Sequence, residues 1–429
     1  MVKYENRSEK TTWRRATDYE PRRDWRTWLI GRPLQTADAP HQTIPKRIGL
    51  AVFASDALSS TAYSTQEMLV ILAAAGTASF GVVFPLTIGI AILLAIITLS
   101  YEQTIHAYPS GGGSYIVSRD NLGEMPAKIA AAALLTDYVL TVAVSISSGV
   151  AQIVSAFSFL YPFRVEVAVA LVIFIMLINL RGVKESGSVF AVPTYFFLAM
   201  MFITVGTGMV RYLFGGLGTV VDPPVMEMTH TAQALSAFLI LRAFSSGTTA
   251  LTGVEAISNG IPAFSEPKSK NAGITLIWMS AILGVLILAI SFLSAHVVAI
   301  PSETETVISQ LTRTIFQGRG IMYLLMIAGT TVILIMAANT SFADFPRLSA
   351  ITATDGFLPR QFAYRGSRLV YSRGIMVLAL MACVLIVWFK ASVTSLIPLY
   401  AIGVFLSFTL SQAGMAHRWW KIGHMVPGT

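Results

Sequence analysis

Charge is what this sequence has least of: Asp, Glu, Lys and Arg together make up 12% of its 429 residues. A soluble domain carries about 25%, so this chain cannot cover an ordinary water-facing surface. The single cysteine, Cys383, lies in an apolar run; it can form no intrachain disulfide and reads as a small packing residue. The first 47 residues contain no apolar core segment, so no secretory signal is read there. No His/Cys/Asp cluster has metal-site spacing, and no nucleophile stands beside a base, which argues against an enzyme and against a resident cofactor. "PSGGGSY" at 109–115 lacks both the preceding strand and the following Lys-Ser/Thr of a phosphate loop, and a tight re-entrant turn is the better reading.

What the chain does have is apolar length. AVILMFWYC account for 54% of residues, and the mean hydropathy is +0.67. Spanning a bilayer takes about 20 mostly apolar residues per helix. Ten spans are read, at 47–75, 82–107, 126–158, 165–181, 188–213, 232–262, 272–299, 320–341, 374–390 and 395–415. The expected class is an all-α integral membrane protein. With the N-terminus inside, 24 of the 30 Lys and Arg fall on cytoplasmic segments, 5 fall outside, and Arg242 lies within a span. That asymmetry follows the positive-inside rule and puts both termini in the cytoplasm. The net charge of +8 is thus a matter of topology rather than of nucleic-acid binding. Residues 1–45 read as a basic, mostly disordered cytoplasmic segment. Within them, Trp25–Leu34 mixes Trp, Leu and Arg and could rest on the inner leaflet. Residues 46–215 and 231–415 form two five-span halves, and 416–429 a cytoplasmic stub.

Two spans carry their own breaks. "ASDALSSTAYS" (54–64) in span one and "FSSGTTALTG" (244–253) in span six are rich in side chains that compete for backbone hydrogen bonds. Ser and Thr also occur in ordinary transmembrane helices, where they pack at small-residue contacts. Breaks at matching positions of two halves, however, point to a substrate site near the midplane and to a five-plus-five inverted repeat. Unwound backbone at that depth must line a cavity or be buried in protein.

The intramembrane charges refine the reading. Asp56 lies roughly 14 Å into span one at about 1.5 Å per residue, Asp137 is near mid-depth in span three, and Glu255 lies toward the inner end of span six. A charge near the bilayer centre costs at least about 2.5 kcal/mol, so each is a functional candidate, and Arg242 needs one of these carboxylates as a partner. Two carboxylates beside Tyr, Ser and Thr hydroxyls make an oxygen-lined pocket suited to a weakly hydrated cation. An amino acid's carboxylate needs bare N–H groups at a glycine-rich break, and span one offers none. A polyamine or cationic amino acid would also accept the aspartate. Glu255 has the apolar neighbours Val254, Ala256 and Ile257. An apolar surround makes a carboxylate easier to protonate, and such a group can carry a proton across the membrane.

"SDALSSTAY", "YPSGGGSYIV", "LTGVEAISNG" and "FADFPRLSAITATDGFLPR" resemble segments of the amino acid–polyamine–organocation (APC) permeases, and within them the KimA-like potassium importers of the KUP group. The resemblance runs through roughly residues 30–415 and implies a LeuT-like fold with helices 1 and 6 broken. It implies a symporter that couples potassium uptake to protons at the plasma membrane, with an amino-acid or polyamine permease as the alternative. It places potassium ligands at Asp56, Tyr63, Asp137, Tyr138, Thr141, Ser145, Thr252 and Tyr400, and proton coupling at Glu255. The implied partners are potassium, protons and the lipid bilayer. In the family, two further helices and a cytoplasmic regulatory domain follow, and that domain also mediates a homodimer. This sequence stops at Thr429, so the transport core is expected here without that region.

Overall fold

The computed structural model describes residues 45–181, 187–225, 234–366 and 370–425. Residues 1–44 of the basic segment read at 1–45, including Trp25–Leu34, and residues 426–429 of the C-terminal stub lie outside them. All regular structure among the described residues is helical. Helices α1 (Lys46–Ser59) and α2 (Ser64–Ala73) divide the first apolar stretch. They are followed by α3 (Val83–Ala107), α4 (Gly113–Leu122), α5 (Glu124–Ala156), α6 (Arg164–Leu180) and α7 (Gly187–Leu213). The second half contributes α8 (Ala237–Gly247), the single turn α9 (Ala256–Asn259), α10 (Lys268–His296) and α11 (Val307–Ile315). It ends with α12 (Ile321–Thr354), α13 (Ser372–Trp388) and α14 (Val393–Met425).

Eight segments among the described residues are long and apolar enough to cross a membrane. The two other stretches read as spans are not among them: the first, divided into α1 and α2, and α13, which is only 17 residues long. Burial sorts the helices into an inner and an outer set. In α5, 72% of the apolar window is buried, against 22% for Ser158–Leu180, which leaves α6 an apolar outer face. α5 is the inner post, packed along α12 and α14, while α1 packs on α7, α10 and α12. Small residues permit the close approaches, as at Gly374 of α13, where an added Cβ would lie 3.0 Å from the Pro346 Cα of α12.

Two helices were not anticipated. The glycine-rich segment does make a turn, but α4 starts directly after it. The Tyr115 hydroxyl of α4 donates to the Asp355 carboxylate just beyond α12, and Arg119 reaches the same carboxylate at 3.0 Å. α11 occupies the connection between α10 and α12, with the Thr306 hydroxyl capping it by accepting from the Ser309 N–H. α12 also runs on well past residue 341, where the span was expected to end.

Candidate functional site

The two breaks form by the same local chemistry. Around the first, the hydroxyls of Ser59, Ser60 and Thr61 donate to the carbonyls of Asp56, Ala57 and Leu58, each three residues back, at 2.7, 2.5 and 2.7 Å. Around the second, Thr248, Thr249 and Thr252 donate to the carbonyls of Ser245, Ser246 and Thr249 at 2.6, 2.7 and 2.9 Å. Bonds of this kind draw carbonyls out of the regular helical ladder. Both stretches tighten to 3-10 geometry, at Ser60–Ala62 and Thr248–Leu251. Thr252 is then extended, and Gly253 has φ +80.

The breaks face each other. The Ser60 hydroxyl lies 3.0 Å from the Ala250 carbonyl, and the Tyr63 hydroxyl is 3.4 Å from Thr252 Oγ1. A Cβ on Gly253 would lie 2.6 Å from the Ala57 nitrogen and 2.9 Å from the Asp56 carboxylate. Glycine is required there by both its positive φ and this approach.

Around the breaks stand the acidic and hydroxyl groups singled out above. Asp56, Tyr63, Tyr138, Thr141, Ser145, Thr252 and Tyr400 are buried. Asp137 is half-buried, and its Oδ1 is fully buried. Thr141 of α5 donates to the Tyr400 hydroxyl of α14 at 3.1 Å, and Asn259 of α9 donates to the Tyr138 hydroxyl at 3.1 Å. Ser145 lies one turn beyond Thr141 on α5. Oδ1 of Asp56 and Oδ1 of Asp137 have no hydrogen-bond partner among the described residues. The two carboxylates repel each other, and Asp344 of α12 adds a third negative group that acts on Asp56 and Tyr138. Asp344 lies in the "FADFP" stretch and was not singled out from the sequence.

Glu255 has a different environment from the one its sequence neighbours suggested. Its Oε1 accepts from the Ser114 N–H at 2.8 Å and from the Ser114 hydroxyl at 2.5 Å. Its Oε2 accepts from Tyr101 at 3.2 Å and from Ser407 at 2.9 Å. The carboxylate therefore sits at the N-terminus of α4, where free N–H groups and the helix dipole favour an anion, and ties α4 to α3 and α14. A Cβ on Gly113, which has φ +47, would lie 2.7 Å from Glu255 Oε1 and run into Asn259 Oδ1. That close approach is what the glycine-rich turn provides. Val254, Ala256 and Ile257 are themselves buried.

Arg242 corrects the expectation made for it. It is exposed on α8 and forms no ion pair with Asp56, Asp137 or Glu255. A long cationic side chain on an outer helix face can extend toward the membrane surface rather than seek a buried partner.

A sequence model described as amino acid permease matches residues 50–424. The chain belongs to the amino acid permease family. It is therefore a multi-pass membrane protein. Among curated proteins it is 45% identical over 396 residues to the potassium transporter KimA of Bacillus subtilis (strain 168). The matched region covers 92% of this chain and 64% of that relative, so the chain spans somewhat under two thirds of the relative's length.

Proposed function

We propose that this chain forms the core of a proton-coupled secondary transporter that takes potassium into the cell across the plasma membrane. In this reading ten helices cross the bilayer as two inverted five-helix repeats of LeuT type, with both termini cytoplasmic. α1 with α2, and α8 with α9, are the broken first and sixth members. The observation that carries the reading is the pair of buried, unpartnered carboxylate oxygens on Asp56 and Asp137. Leaving such groups unsatisfied costs about 1–3 kcal/mol each, and more for a charged group. A dehydrated potassium ion would relieve both, with the hydroxyls of Tyr63, Tyr138, Thr141, Ser145, Thr252 and Tyr400 completing an oxygen shell. The potassium transporter with 45% identity supports the same cargo.

Glu255 is the proposed proton carrier. Ionised, it can accept all four of the bonds it receives; protonated, it must give up at least one of them. Proton binding would therefore loosen the tie between the second break and α4, α3 and α14, and permit the inner side to open. Cargo and proton would share one conformational cycle.

A second reading, an amino-acid or polyamine permease, is favoured by the description of the matching family. Rubidium uptake in cells deficient in potassium import, beside amino-acid and polyamine uptake in the same cells, separates the two. Saturable rubidium uptake supports the first reading. Amino-acid or polyamine uptake without rubidium uptake replaces it.

A further inference from the structure

A small cavity lies apart from the Asp56–Asp137 centre, beside the first turn of α2. It is bounded by α2, α5, the residues before α6, the 302–303 segment and the start of α14. Its volume is about 20 Å³, above the roughly 10–15 Å³ that one water needs. A potassium ion is about the size of a water molecule. Ser147, the nearest lining residue of α5, is six residues from Thr141 along the helix, roughly 9 Å at about 1.5 Å per residue; Val154 extends the cavity further.

The cavity walls offer oxygens from Gln66, Ser147, Ser302, Glu303 and Thr394. Ser147 is 1% exposed, and its hydroxyl has no partner among the described residues. Glu303 accepts from the Ser392 hydroxyl at 2.9 Å. Behind Thr394, the buried Glu67 accepts from the Thr394 hydroxyl at 3.1 Å, and the two glutamates repel each other. Arg164 also borders the cavity, but its Nε donates to the Lys390 carbonyl at 3.0 Å and its guanidinium stacks over Tyr161 at 4.3 Å. The backbone and ring thus hold it aside, and no ion pair joins it to Glu303.

We propose that this cavity is a second cation site, which holds one dehydrated monovalent cation on its way to the Asp56–Asp137 centre. The site rests on the transport reading for its cargo, and on its own geometry for its place. Two carboxylates that repel, an unpartnered buried hydroxyl and water-sized space are what a potassium ion would reconcile. Two sites in series would let an arriving ion help displace the one ahead of it.

The test is equilibrium binding of radioactive rubidium to the purified chain, with rubidium uptake by the same protein in liposomes. About two rubidium ions per wild-type chain are expected. Asp56→Asn should retain the ion in the cavity, and Glu303→Gln should retain the central one. Glu303→Gln should also raise the half-saturating rubidium concentration of uptake about tenfold, as expected for loss of a charged ligand. Ser147→Ala removes only the unpartnered hydroxyl; it should raise that concentration by about threefold with unaltered melting. One ion per wild-type chain, or unchanged stoichiometry and half-saturation in both variants, would overturn the second site and leave a water in the cavity. Transport by the central site would still stand. Absence of rubidium binding and uptake in the wild type would instead remove the transport reading itself.

Discussion

Two buried acidic regions lie within a few helical turns of each other and are solvated in opposite ways. At the breaks, Asp56 and Asp137 each keep a buried carboxylate oxygen with no donor. At Glu255, four donors from Ser114, Tyr101 and Ser407 converge on one carboxylate. A carboxylate without donors can bind a cation that arrives from outside the protein. A carboxylate whose two oxygens already accept four hydrogen bonds needs no cation to satisfy it. In the proposed cycle this contrast would be a division of labour between a seat and a latch, even though all three residues would look alike as isolated intramembrane acids.

The sharpest way to break the comparison is at the seat. Asp56→Asn or Asp137→Asn keeps the shape and removes the charge, and rubidium uptake should fall by about 100-fold or more, as loss of a charged buried ligand implies. Uptake per inserted transporter, normalised to surface expression, is the measurement. Retained uptake in both variants would remove the cation seat. At the latch, Glu255→Gln keeps the side chain's size, removes the titrating proton and, like the protonated acid, replaces acceptor capacity with a donor. Rubidium binding should survive within about threefold, while accumulation against a gradient and its dependence on external pH are lost. An unchanged pH profile would return Glu255 to a structural tie. Gly113→Ala tests the latch mechanically. The added Cβ meets Glu255 Oε1 and Asn259 Oδ1 and adopts a positive φ, which together should cost about 1–3 kcal/mol and lower the melting temperature. A variant as stable as wild type would mean that α4 is free to move away from Glu255.

The architecture was legible where composition enforces it. Apolar runs of membrane length can be little else, and the "DALSST" and "SSGTTALT" stretches advertised their breaks through hydroxyls that bond carbonyls three residues back. What the sequence could not show was convergence in space. Tyr101, Ser114 and Ser407 come from three separate segments, and nothing in the local pattern around Glu255 announces them. Its apolar neighbours were read as its surroundings, whereas a side chain leaves its own helix. The short helices α4 and α11 were missed because neither carries a membrane-length apolar run. For α11 a signal existed: Thr306 three residues before Ser309, the spacing of an N-cap. Asp344 was overlooked because a charge near the end of a long span looks like a loop residue until α12 is seen to continue.

Arg242 gives the smallest expected effect and bears on the comparison from outside. An intramembrane cation beside three acids invites a salt bridge, and a buried pair broken by mutation costs about 3–5 kcal/mol. The side chain is instead exposed on α8 and pairs with none of these acids. Its contribution should then be that of a surface group, within about 0.5 kcal/mol. Arg242→Gln should leave the melting temperature within about 2 °C of wild type and rubidium uptake within about twofold. The measurement is thermal melting in detergent together with initial uptake rates. The discriminating variant is the double change, Arg242→Gln with Asp137→Asn. If the charges were paired, removing both would restore stability lost in the single variants. If the arginine faces outward, the double variant should equal the sum of the two. Restored stability in the double variant would place Arg242 against the seat and end the claim that its carboxylates await a cation from outside.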